Sequence, residues 1–108
     1  MQLAAATWPT VPKFAARVDA NQPEIVAGLR AAGCTVALAH AVGRGFPDLV
    51  VGYRGCTYLL EVKDGDKPPS ARKLTPAQVD WHTAWRGHVA VVCTLAEALD
   101  AVGIVHSL

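Results

Sequence analysis

Charge and aromatic character are both scarce in this chain. Charged side chains make up 18% of its 108 residues and aromatic ones 6%. Apolar residues nevertheless reach 52%, much of it alanine and valine, which excludes a disordered chain. No stretch of about 18 residues is free of charged and strongly polar groups, so a membrane span is not expected. Met1-Gln2-Leu3-Ala4 carries no basic residue ahead of an apolar run, so a secretory signal is not expected either. Neither sign of charge dominates. Ten basic against nine acidic residues leave a net charge of +1, which neither demands nor forbids nucleic acid, and charge has to be read locally. Cysteine is sparse as well. Cys34, Cys56 and Cys93 are odd in number and lack metal-ligand spacing, which argues against a disulfide framework or a zinc site. Each falls in a strand-like stretch and is expected as a small core residue of a cytoplasmic protein.

What is present fits a single domain over residues 19–108, preceded by an N-terminal arm or short helix over 1–18. Asn21 followed by Glu24 has capping-box register, and Ile25, Val26, Leu29 and Ala32 line one face of a helix over 22–32, stopped by Gly33. Three strand signals follow: Cys34–His40, Asp48–Tyr53 and Thr57–Lys63, the last two joined at Arg54-Gly55 as a hairpin. A polar stretch over Asp64–Thr75 leads to a helix capped by Thr75 with Pro76 in its first turn. Its stripe Ala77, Trp81, Ala84 and Trp85 is expected to face the core. His88–Cys93 reads as a strand buried on both faces, and Thr94 with Glu97 caps a final helix to Val102. The order αβββαβα implies an α/β fold with a mixed central sheet flanked by helices.

Two carboxylates and a lysine stand out from this frame. Glu61 and Lys63 are two apart on one strand and share a face, while Leu60 and Val62 face the other way. Asp48 opens the neighbouring strand, so the hairpin brings it to the same end as Glu61. Two adjacent carboxylates repel, and a hard divalent cation such as magnesium relieves that repulsion. A cation there can polarise a phosphoryl oxygen, with a lysine beside it to orient water. Taken alone, Glu-x-Lys on a strand is more often a solvated ion pair, and Asp after Pro a turn residue.

Gly45-Phe46-Pro47-Asp48-Leu49 followed by Glu61-Val62-Lys63 resembles the signature of the PD-(D/E)XK nucleases. Together with Glu24 in the first helix and Gln78 in Leu74-Thr75-Pro76-Ala77-Gln78, it resembles the VRR-NUC (virus-type replication-repair nuclease) branch, which includes small stand-alone phage proteins. The resemblance covers about residues 19–103. It implies a restriction-endonuclease-like core and a magnesium-dependent enzyme, with manganese as a substitute, that hydrolyses DNA phosphodiesters inside a phage or bacterial cell. Asp48, Glu61 and the backbone carbonyl of Val62 would hold the metal, and Lys63 would serve the attacking water. Glu24 would contact metal-bound water, and Gln78 would hold Lys63 or the phosphate. It also implies a homodimer acting on branched or junction-containing DNA.

Other readings stand beside these. Capping alone accounts for Glu24 and Gln78 without any chemistry. Lys67, Arg72 and Lys73 lie in an acid-free run that suits a DNA backbone as well as a solvated loop, and Arg44, between two glycines, suits a phosphate. His40, His88 and His106 lack ligand spacing, and His82, one turn after Gln78, suits the lining of the cleft or a plain surface position. The alternative function is a catalytically silent nucleic-acid-binding module on the same fold.

Overall fold

The computed structural model describes residues 18–108, so the expected arm, with Leu3, Trp8, Val11 and Phe14, lies outside the described residues. The elements are α1 (Gln22–Ala31), β1 (Thr35–Leu38), β2 (Leu49–Tyr53), β3 (Cys56–Val62), α2 (Pro76–Ala84), β4 (Val89–Val92) and α3 (Leu95–Ala101), with a 3-10 turn at Pro69–Ala71. The strands form one sheet in the order β1-β2-β3-β4, the first two pairings antiparallel and the last parallel. The expected mixed sheet in αβββαβα order is therefore the one observed.

Local chemistry sets each junction. Arg54 and Gly55 take φ of 49° and 80°, the left-handed pair that a two-residue hairpin needs, and this fixes Leu49 opposite Leu60. The period of two then sends Leu60 and Val62 into the core with Leu49 and Val51, and puts Leu59 and Glu61 on the other face. Ile25, Val26 and Leu29 of α1 and Ala98 and Leu99 of α3 cover the core face. The parallel β3–β4 pair requires a long crossover, and α2 lies within it.

Several expectations change. β4 is not buried on both faces, because only the face carrying Ala90 and Val92 packs on the core. Only Val92 is buried and Val91 is 43% exposed. The stripe of α2 does not enter the core, since none of its residues is buried. Of the cysteines only Cys34 is buried, while Cys56 is exposed and Cys93 intermediate. Thr94 does accept from the Glu97 amide, but the Glu97 carboxylate reaches back to the Cys93 amide rather than to Thr94.

The capping box at α1 is also absent. Asn21 itself has a helical conformation and makes no side-chain cap. Its amide instead donates to the carbonyl of Lys63 at 3.0 Å and of Cys93 at 2.8 Å, tying the start of α1 to the ends of β3 and β4. Asn21→Ala is therefore expected to lower stability by about 1–3 kcal/mol. Asn21→Asp, which cannot donate, should lose a similar amount, and Glu24→Ala should stay within about 0.5 kcal/mol of the parent. Denaturant unfolding of the three variants checks this.

Candidate active site

The hairpin register that buries Leu60 and Val62 also determines where the acids fall. Asp48 immediately precedes β2, opposite the end of β3, and its Oδ2 accepts from the Val62 amide at 2.8 Å. Glu61 is one residue before Val62 and 3% exposed. Asp48, Glu61, Val62, Lys63 and Gln78 line one polar cleft of about 340 Å³.

Inside this cleft the contacts form a short chain. The Gln78 amide nitrogen donates to Glu61 Oε2 at 3.0 Å, and its oxygen accepts from Lys63 Nζ at 3.0 Å. Lys63 Nζ lies 3.8 Å from Glu61 Oε2 and its side chain is 12% exposed. The same Gln78 oxygen accepts from the Thr75 backbone amide at 2.8 Å, while the Thr75 hydroxyl accepts from the Gln78 backbone amide at 3.2 Å. Capping and bridging were separate readings of Gln78 in the sequence, and in the fold one carboxamide does both. The cap fixes its orientation, with oxygen toward Lys63 and nitrogen toward Glu61.

Glu61 is buried more deeply than its interactions offset. Burial first, and then the Asp48 carboxylate against it, push its pKa up to about 8, even though Lys63 pulls the other way. Its Oε1 is enclosed and has no partner among the described residues. An enclosed acceptor with no donor, next to a second carboxylate, fits a divalent cation. Among the described residues no three His, Cys, Asp or Glu side chains gather to chelate an ion by themselves. Magnesium suits such a sparse set, because it is commonly held by one or two carboxylates and otherwise by water and phosphate.

The remaining sequence candidates are scattered. Glu24 is not brought to this cleft. It lies on the exposed side of α1 and lines a separate depression with Asp64 and Asp66. Lys67 reaches the cleft rim, where its ammonium meets Asp19 at 3.0 Å. Arg72 is half-buried with its Nε enclosed and unpartnered among the described residues, whereas Lys73 is exposed. Arg44 is exposed at φ 57°, with left-handed glycines on either side. His82 is half-buried, and burial, followed by the Lys63 charge, draws its imidazole below the usual range.

Two further residues line the cleft: Asp19, which the sequence did not single out, and His40, which it set aside for lack of ligand spacing. Asp19 stands before α1, and its charge adds to the upward push on Glu61. His40 follows β1, where the strand pairing extends as Ala39 donates to the Asp48 carbonyl at 2.7 Å. Neither has a spacing that ties it to Asp48 in sequence. Only the folded sheet brings them there.

A solved structure described as a VRR_NUC domain is similar to this chain. The two share 29% identity with a TM-score of 0.56, over 75% of this chain and 88% of that one. No family model and no curated protein matches the chain.

The raised pKa of Glu61 makes stability depend on pH in a definite direction. The folded form holds this proton more tightly than the unfolded chain, so its contribution is full below about pH 4.5 and is lost as pH rises to about 8. Metal-free protein should therefore melt progressively lower across that window, by several degrees in total. Glu61→Gln should flatten the dependence and melt above the parent at pH 8. A calorimetric pH series on the two proteins reads this directly.

Proposed function

We propose that this chain, which is similar to a VRR_NUC domain, is a nuclease of that family: a divalent-metal-dependent DNA endonuclease that prefers branched substrates. The observation carrying this reading is the convergence of Asp48, Glu61 and Lys63 in one cleft, with two carboxylates so close that one is driven toward its neutral form. An enclosed Glu61 oxygen with no donor beside it supports the reading, since a bound cation would give it a partner.

Asp48, Glu61 and the backbone carbonyl of Val62 would hold the cation. When bound, it supplies Lewis acidity toward the phosphoryl group and lowers the pKa of water. The chain's own residues do the rest. The Val62 amide orients Asp48 by holding one oxygen, leaving the other for the metal. Lys63 orients the attacking water and offsets charge building on phosphorus, and Gln78 keeps its ammonium aimed into the cleft. Arg44, Arg72 and Lys73 would contact flanking phosphates. Half-buried Arg72, with an enclosed Nε and no anion beside it among the described residues, is the best prepared of them. Lys67 would join them by exchanging Asp19 for phosphate, since an exposed ion pair is weak. Glu24, on another surface, has a role only if the substrate extends to that depression.

A two-fold dimer would provide the second site that cutting both strands of a junction requires. An apolar groove bounded by Val18, Val26 and the 55% exposed Leu38 offers surface for it.

The test is a panel of labelled substrates (duplex, nicked, flap, four-way junction, single strand) with magnesium, with manganese and with chelator. Cleavage should need metal and favour the branched forms. Asp48→Asn and Glu61→Gln should abolish it while keeping the fold. Lys63→Ala should bind metal by calorimetry yet cleave poorly, and Thr75→Ala should lose stability but little rate. Binding of all substrates without cleavage would favour the silent-module reading. Sedimentation at micromolar concentration checks the dimer.

A further inference from the structure

The core does not hold α2, yet Gln78, which bridges Lys63 and Glu61, sits in its first turn. Its attachment must lie elsewhere, and the structure points to the turn over Gly43–Phe46. The Phe46 amide donates to the Gly43 carbonyl at 3.1 Å, closing the turn. Gly43, Arg44 and Gly45 all take left-handed φ, at 74°, 57° and 83°. At Gly45 the backbone presses on the first turn of α2. A Cβ there would stand 2.3 Å from the Ala77 carbonyl oxygen, 2.7 Å from its carbon and 3.0 Å from the Gln78 nitrogen. These are backbone atoms, which cannot swing aside as the end of a side chain can. Phe46 next door packs edge-on against Trp81, ring centroids 5.2 Å apart, one turn beyond Gln78.

We propose that Gly45 is a positioning residue: its missing side chain lets the turn seat against α2, and this seat sets the Gln78 carboxamide that aims Lys63. The inference rests on the nuclease reading for its kinetic consequence but not for its structural one. Gly43 supplies an internal control. It has the same left-handed conformation, but a Cβ there meets nothing within 4 Å. Gly43→Ala thus imposes the backbone strain of alanine in that region without the collision, and Gly45→Ala imposes both.

The experiment compares Gly43→Ala, Gly45→Ala, Gln78→Ala and Gly45→Ala/Gln78→Ala, assayed well below every melting midpoint. Gly45→Ala should lower kcat about tenfold or more with little change in KM, and Gly43→Ala less than about threefold. Because Gly45 acts through Gln78, the double variant should be no slower than Gln78→Ala alone. Multiplying losses, or equal effects at the two glycines, would overturn the proposal. In parallel, the Gln78 side-chain amide resonances should shift in Gly45→Ala and stay in place in Gly43→Ala. Unmoved resonances overturn the positioning role whether or not the protein cuts DNA, while moved resonances in a protein that cuts nothing sink only the nuclease reading. Should Gly45→Ala not fold, Phe46→Ala loosens the same seat without adding atoms. It should shift the same resonances and lower kcat about threefold, again without adding to Gln78→Ala, and unmoved resonances there overturn the proposal.

Discussion

A carboxylate buried at the end of a central strand is the constraint on which this site is built. Glu61 sits one residue before the end of β3, out of water, with Asp48 against it. Left alone, two such acids destabilise the fold. The domain meets this with the Val62 amide donating to Asp48, the Gln78 carboxamide donating to Glu61, and the Lys63 charge 3.8 Å from Glu61 Oε2. One Glu61 oxygen is left without a donor, and it is there that a cation has something to gain. On the proposed reading, the same shortage that costs stability would favour metal binding.

The rest of the fold serves to hold those donors still. The hairpin register fixes Asp48 against β3, and the core beneath, through Leu49, Leu60 and Val62, prevents a slip that would turn Glu61 into the apolar layer. Asn21 ties the start of α1 to the backbone at Lys63, and so links the core helix to the strand end that carries the site. Gln78 arrives from the opposite side on a helix that owes its place to a turn and a cap rather than to burial.

Much of this was legible before folding. Period-two alternation in 57–63 separates Glu61 and Lys63 from Leu60 and Val62, and Arg54-Gly55 gives the register that brings Asp48 alongside. Thr75-Pro76 marks the helix start, and Gln78 three residues after Thr75 gives the capping box. What failed to be legible depends on tertiary context. Trp81 and Trp85 stack on each other with centroids 4.9 Å apart, and Trp85 is left 42% exposed. A helical stripe specifies one apolar side but not what covers it. Asn21 has the right identity for a cap, yet two carbonyls from distant strands claim its amide. Glu24 was a site candidate through the resemblance alone, and the helix turns it away from the cleft. Asp19 and His40 enter the cleft only because the chain is closed around it.

The central claim is that Glu61 is an acid held near neutrality by burial and by Asp48, and released from that state by a divalent cation. Titration of its side-chain carboxyl carbon by NMR, with selective labelling, with and without magnesium, tests this most directly. Without metal the Asp48–Glu61 pair should show a step near pH 8, and saturating magnesium should carry that step below about pH 5 by stabilising both charged forms. A single step near the ordinary glutamate value, unmoved by magnesium, would contradict the account.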